Sequence, residues 1–203
     1  MKTLVLASSS RYRRELLGRL GLEFETRAPK VDESEHPGEP PEDLANRLAA
    51  AKVQAVVRPG TLVIGSDQVP SLDGRILRKP GEHQAALRQL EACQGRSVDF
   101  FTAVCLLDAD SGRRWQHRDL TRVVFRRQSS AVLDTYLERE RPYDCAGGFK
   151  AEGLGIGLFE RIESSDPTAL IGLPLIWLAG ALRQAGMDPL SPRSGQSAHR
   201  EPL

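Results

Sequence analysis

The stretch Ser10-Arg11-Tyr12-Arg13-Arg14 follows the apolar run Leu4-Val5-Leu6-Ala7 after Ser8 and Ser9. Ser10 is a helix-capping type, and Leu16, Leu17 and Leu20 continue at helical spacing, so the arginines fall in a first helical turn, where positive charge opposes the helix dipole. Such a cluster has a use when an anion shares the site, because guanidinium forks and exposed backbone amides together hold a polyphosphate. A solvated basic face is the competing reading of the same residues. Further along stand Glu33 in Val31-Asp32-Glu33, Lys52 in an amphipathic stretch, Asp67 closing the run Thr61-Leu62-Val63-Ile64-Gly65-Ser66, and Lys79 in Arg78-Lys79-Pro80. Cleaving a phosphoanhydride requires neutralised phosphate oxygens and a water delivered in line with the leaving group. Arg13, Arg14, Lys52 and Lys79 are the candidates for neutralisation. Glu33 and Asp67 are oxygen donors of the kind that hold Mg²⁺ or Mn²⁺ between carboxylates and phosphate. Each has an ordinary alternative: Lys52 as a snorkelling surface lysine, Asp67 as a helix cap, and Glu33 as one solvated acid among Asp32, Glu35 and Glu39.

The elements that must position these groups alternate between strand and helix patterns, which predicts an α/β fold. Thr3 to Ala7 reads as a strand, Ser10 to Leu20 as a helix ended by Gly21, and the residues around Leu22 to Thr26 as a short strand. A second helix runs from Pro41 to about Val57, with Leu44, Leu48, Ala51, Ala55 and Val56 as its apolar stripe and Lys52 beside it. Thr61 to Ser66 is a buried strand that places Asp67 at its C-terminal end, where open α/β sheets gather ligands. A turn at Asp73-Gly74, a helix from Gly81 to Cys93, and two long strands, Val98 to Asp108 and Trp115 to Arg127, follow. A helix from Ser129 to Glu138 and a last helix from Leu173 to Gln184 complete the set. The glycine-rich segment from Asp144 to Gly155 implies backbone passing close to a ligand.

In order and spacing, Ser10 with Arg13-Arg14, Asp32-Glu33, Lys52, Ser66-Asp67 and Lys79-Pro80 resemble the pattern of the Maf nucleoside triphosphate pyrophosphatases, from about Lys2 to Pro189. The resemblance implies an elongated mixed sheet with flanking helices and a central cleft between two lobes, as in the Maf and inosine-triphosphatase folds. It implies hydrolysis of a nucleoside triphosphate between its α and β phosphates, with Asp67 as the base that activates water, a divalent cation, Mg or Mn, as cofactor, and a possible homodimer. Tyr12, Gln68 and Glu152 stand where the pyrimidine-preferring branch of the family carries arginine, threonine and glutamine. Their joint departure resembles the branch acting on 7-methyl-GTP. A carboxylate at Glu152 accepts from two donors on a guanine edge, and an aromatic ring at Tyr12 stacks on a cationic base. The alternatives are a dTTP/UTP pyrophosphatase and a non-catalytic nucleotide-binding regulator of cell division, which would have no use for Asp67.

With 203 residues and 40% hydrophobic content, the chain fits one domain, expected over residues 1–189, followed by a polar and disordered tail over 190–203. A net charge of +1 from 28 basic and 27 acidic residues gives no long-range field for nucleic acid or an anionic membrane, so phosphate recognition must be local. No run approaches the ~20 apolar residues that span a bilayer. Cys93, Cys105 and Cys145 are widely spaced and odd in number; they read as reduced thiols filling the core of a cytoplasmic protein.

Overall fold

Thr3–Ala7 forms the first strand, β1, whose last four residues are buried, as a near-continuous apolar run requires. The computed structural model describes residues 2–191, so the tail expected over 190–203 lies outside the described residues from 192 onward. After β1 come α1 (Arg11–Gly18), β2 (Glu25–Thr26), α2 (Pro41–Val56), β3 (Thr61–Leu72), β4 (Arg75–Ile76) and α3 (His83–Cys93). They are followed by β5 (Ser97–Asp108), β6 (Arg114–Phe125), α4 (Ser130–Glu140), β7 (Phe159–Glu163) and α5 (Leu175–Gln184). The strands make one mixed seven-stranded sheet in the order β2-β1-β3-β5-β6-β7, with β4 on the free side of β3. β1 runs parallel to β2 and β3, and the remaining pairs are antiparallel. No helix among the described residues is long and apolar enough to cross a membrane.

Three departures from the sequence expectation bear on function. First, β3 does not end at Ser66 but continues to Leu72, because β5 pairs with it residue for residue from Leu62↔Asp108 to Ser71↔Asp99. Pro70 is tolerated there: its carbonyl accepts the Leu77 amide at 2.8 Å, so its ring nitrogen faces the same free edge and no ladder bond to β5 is lost. Second, the buried face of α2 is Leu44, Ala45, Leu48, Ala49, Lys52 and Val53, while Ala51 is half-buried and Ala55 exposed. Lys52 thus lies within the stripe, not beside it. Third, the short strands β4 and β7, in which charged residues interrupt the apolar ones, carried no apolar run or alternation and were not anticipated. Smaller shifts occur at helix ends, where Ser129 sits at the N-cap of α4 without a side-chain capping bond.

Side-chain alternation assigns the sheet's two faces. Val63, Val69, Ala103, Cys105 and Leu107 pack with Val5 and Ala7 under α2. On the other face, Leu4, Leu6, Leu62, Ile64, Val104 and Leu106 pack against α1 and α5. Farther along that face, Leu72, Val98, Phe100, Val123 and Phe125 meet α3, α4 and Phe149. The two clusters on this face are the cores of the two lobes. Between them the strands carry Ser66, Gln68, Thr102, Asp119 and Thr121, a polar seam whose buried atoms all find partners among the described residues. Pairing with β1 stops at Ala7↔Gly65 and pairing with β4 starts at Ser71, so β3 has an open edge across this seam.

Candidate active site

The open edge of β3 is the floor of a cleft of about 980 Å³. Asp67 lies at mid-strand, two residues past the end of the parallel β1 pairing, so the sheet does gather its polar groups beyond the C-terminal end of a strand, but the strand is β1. From α2 the Lys52 Nζ donates to Asp67 Oδ1 at 2.5 Å and lies 2.7 Å from Glu33 Oε1. Lys52 is only 6% exposed, which overturns the surface-lysine reading: a buried ammonium requires paired carboxylates, and here it has two. Gly65 permits this meeting. A Cβ there would stand 2.4 Å from the Ala49 carbonyl oxygen and 2.7 Å from Val53 Cγ2, so only glycine lets α2 lie this close to β3.

Burial alone would raise the Glu33 carboxyl, yet its hydrogen bond and ion pair with Lys52, aided by Lys79 and Arg13, hold it below the usual glutamate range. Two carboxylates therefore converge on one positive centre at the cleft floor. Among the described residues no group of three or more His, Cys, Asp or Glu forms a self-sufficient metal cage.

Ser10 caps α1 as expected, its hydroxyl accepting the Arg13 amide at 3.4 Å. The helix carries Arg13 into the cleft, where its Nε donates to the Gly172 carbonyl at 2.9 Å. Burial pulls the guanidinium below the ordinary arginine range, with Asp67 and Glu33 opposing the shift. One residue on, Arg14 is exposed and is absent from the cleft wall. The arginine pair is thus split by the helical rotation between its members.

Lys79 is exposed on the cleft wall and has no ion pair among the described residues, whereas its neighbour Arg78 pairs with Glu35 across the loops. Tyr12 also lines the cleft and is half-buried. The Arg11 guanidinium carbon lies 4.7 Å from the Tyr12 ring centroid, and Arg11 Nη2 donates to the phenol oxygen at 2.7 Å. Burial raises the Tyr12 hydroxyl, with Arg11 opposing. Glu152 is exposed and also lines the cleft, in the glycine-rich segment that the sequence marked as a ligand approach. Gln68 borders the floor, but its amide donates to Thr102 Oγ1 and to the Ala169 and Leu170 carbonyls.

All three cysteines are free thiols. Cys93 and Cys105 fill the core, but Cys145 is half-buried in the cleft wall, where burial and Asp144 push its thiol up to about 11 and keep it protonated at neutral pH. Arg11, Arg78, Asp144 and the Leu170–Gly172 turn also line the cleft and were not singled out from the sequence. The only signal for the turn was its turn chemistry, Asp166-Pro167-Thr168 followed by Gly172-Leu173-Pro174.

A family model described as Maf-like protein matches residues 3–185. A Burkholderia thailandensis protein named 7-methyl-GTP pyrophosphatase is 53% identical over 188 residues, covering 90% of this chain and 87% of that protein. Similar proteins of the same name occur in Cupriavidus metallidurans, 54% identical over 185 residues (90% of this chain, 93% of that protein), and in Xanthomonas oryzae pv. oryzae, 55% identical over 188 residues (92% and 98%).

Proposed function

The chain belongs to the Maf-like protein family, and from that premise we propose that it hydrolyses 7-methyl-GTP between the α and β phosphates, giving the nucleoside monophosphate and pyrophosphate. The observation that carries the substrate is the name shared by relatives 53 to 55% identical over nine-tenths of the chain. The protein is thus a hydrolase acting on an acid anhydride.

The cleft supports a division of labour. Arg13, Lys79 and the N-terminus of α1 bind the triphosphate, since two of these are cations without a carboxylate partner among the described residues and the third offers free amides. Lys52 fixes Asp67 and Glu33 in one geometry. Asp67 takes the proton of a water that attacks the α phosphorus; the bond from that phosphorus to the bridging oxygen breaks, and pyrophosphate leaves. Tyr12 stacks on the base, and Glu152 accepts from the guanine edge.

The convergence of Glu33 and Asp67 on a positive centre fits a divalent cation. The two carboxylates would hold Mg²⁺ or Mn²⁺ with substrate oxygens completing the shell, as hard cations that bind phosphates commonly do. When bound, the cation supplies charge neutralisation at the phosphate oxygens. The test is a panel of nucleoside triphosphates, 7-methyl-GTP, GTP, dTTP and UTP among them, incubated with Mg²⁺ or Mn²⁺ while pyrophosphate and phosphate release are scored separately. Pyrophosphate release fastest from 7-methyl-GTP is the expected result. Release of phosphate alone would exclude cleavage at the α–β bond.

A further inference from the structure

Glu152 reaches the cleft from a tight turn, Lys150-Ala151-Glu152-Gly153, closed by the Gly153 amide donating to the Lys150 carbonyl at 3.3 Å. A side chain on such a loop keeps one geometry only where its backbone is fixed by other groups. Here the last turn of α4 fixes it. Before the turn, the Lys150 amide donates to the Tyr136 phenol oxygen at 3.1 Å; after it, the Leu154 amide donates to Glu140 Oε2 at 2.8 Å. Tyr136 and Glu140 are four residues apart and so lie on one side of the helix, and between them they grip both ends of the turn.

A third tie runs the other way. Lys150 Nζ donates to the Glu140 carbonyl at 3.1 Å, one of the oxygens that a helix end leaves without a partner, and stands 3.7 Å from Glu140 Oε1. The two side chains are 18% and 13% exposed, so this is not a solvated surface pair. The neighbouring glycines leave room for it. A Cβ at Gly153 would stand 2.6 Å from Glu140 Oε2, and one at Gly155 would stand 2.4 Å from the Lys150 carbonyl oxygen. Ala151 and Glu152 line the cleft, whereas Tyr136, Glu140 and Lys150 do not. The anchorage therefore lies wholly behind the wall that faces the ligand.

We propose that Glu140 is a positioning residue for base selection: its carboxylate ties the end of α4 to the turn that presents Glu152 and thereby sets where that carboxylate meets the base. The proposal rests on the reading of Glu152 as the acceptor for a guanine edge. Glu140→Ala removes the tie without touching the cleft lining. It should lower kcat/KM for 7-methyl-GTP and GTP about ten-fold, the scale on which misplacing a binding group acts, while dTTP and UTP stay within about two-fold. Glu140→Gln keeps an oxygen for the Leu154 amide and should hold the ratio between bases to within about three-fold of wild type. In a Glu152→Gln background the effect of Glu140→Ala should shrink below about two-fold, because the two residues act as one unit.

An equal fall for all four nucleotides would overturn the proposal, as would a lowered Tm with an unchanged ratio between bases, which leaves Glu140 as a fold-holding residue. A shift in the ratio that persists in the Glu152→Gln background would refute the linkage. If Glu140→Ala does not fold, Gly153→Ala pushes the same carboxylate aside while every donor and acceptor remains. It should give the same selective loss, and an unchanged ratio would count against the proposal in the same way. Where Glu152→Gln shifts the ratio and the Glu140 and Gly153 variants do not, the proposal falls and the reading of Glu152 stands. Where Glu152→Gln itself leaves the ratio unchanged, that reading falls and takes the proposal with it. Should the wild-type protein release no pyrophosphate, the hydrolase reading falls separately, and the ratios are read from calorimetric dissociation constants of the same nucleotides, with the same expected and opposing outcomes.

Discussion

Lys52 on α2 and Asp67 on β3 form an ion pair in which both side chains are nearly buried, Nζ to Oδ1 2.5 Å, with the more exposed Glu33 sharing the ammonium. Removing one partner leaves the other charged and desolvated, which costs about 3–5 kcal/mol in buried pairs. Lys52→Met is therefore expected to lower stability in chemical denaturation by an amount of that order, and to lower turnover with it. Asp67→Asn is different. It keeps a hydrogen-bond acceptor for Lys52 but no proton acceptor of useful basicity, so turnover should fall by roughly 10² to 10⁴ while triphosphate affinity stays within a few-fold. Near-normal turnover in a folded Asp67→Asn protein would remove Asp67 from the chemistry.

Gly65 sets the distance across which that pair is made. Gly65→Ala puts a methyl group against the Ala49 carbonyl and Val53. Overpacking of this kind costs about 1–3 kcal/mol, and relief requires α2 to move off the sheet, carrying Lys52 with it. Both a lower denaturation midpoint and a reduced kcat are expected. A stable variant with full kcat would show that α2 can retreat without disturbing Asp67.

Five of the sheet's seven strands, the α1 cap and nine of the residues that line the cleft were legible because each rests on local pattern: an apolar run, a capping serine, a glycine or proline at a turn. What escaped was set by tertiary pairing. The continuation of β3 past Ser66 depends on register with β5, and a polar Asp67 inside it breaks the apolar run. Lys52 looked like a flank of the α2 stripe because a lysine cannot signal burial without its carboxylates. Arg13 and Arg14 are adjacent in sequence, but the partner that distinguishes them, Gly172, is 159 residues from Arg13.

That distinction is testable. Arg13→Ala should raise KM for every triphosphate about ten- to hundred-fold, the equivalent of one charge-assisted contact of about 1.5–3 kcal/mol, and the deficit should shrink at high salt. Arg14→Ala, on the exposed side of α1, should change KM by less than about two-fold, the range usual for a screened surface charge. Equal losses in the two variants would place substrate on the outer side of the helix as well.

Acid should loosen the loop that carries Glu33 before it unfolds the sheet. Arg47 holds Glu39 through two hydrogen bonds at 2.7 and 2.8 Å and also donates to Ser34 O. That hydrogen bonding, with a further bond from the His36 amide, lowers the Glu39 carboxyl from 4.5 to about 2. A depressed carboxylate contributes stability that is complete above its unfolded value and disappears as pH falls through the folded one. The loss therefore belongs to the interval from about pH 4.5 down to about 2. Glu39→Gln should flatten the stability profile over that interval in acid titrations, and an unchanged slope would show that the Arg47 bonds persist in the unfolded chain.

On the proposed reading, Glu152 and Tyr12, which both line the cleft, take part in base selection. A carboxylate accepts from both donors of a guanine edge, whereas an amide presents one acceptor and one mismatched donor. Glu152→Gln should reduce kcat/KM for 7-methyl-GTP by about ten-fold or more, as expected for loss of a charge-assisted bond, without an equal fall for dTTP or UTP. Tyr12 already has the Arg11 guanidinium against its ring, so the ring is in use as a cation platform before substrate arrives. Indole is the stronger platform and alanine none, so Tyr12→Trp should preserve or improve 7-methyl-GTP hydrolysis and Tyr12→Ala should impair it. Steady-state kinetics on the paired substrates decides the matter. If Glu152→Gln leaves the preference between 7-methyl-GTP and dTTP unchanged, the guanine edge is read elsewhere, while the roles of Asp67, Lys52 and Arg13 stand or fall on their own variants.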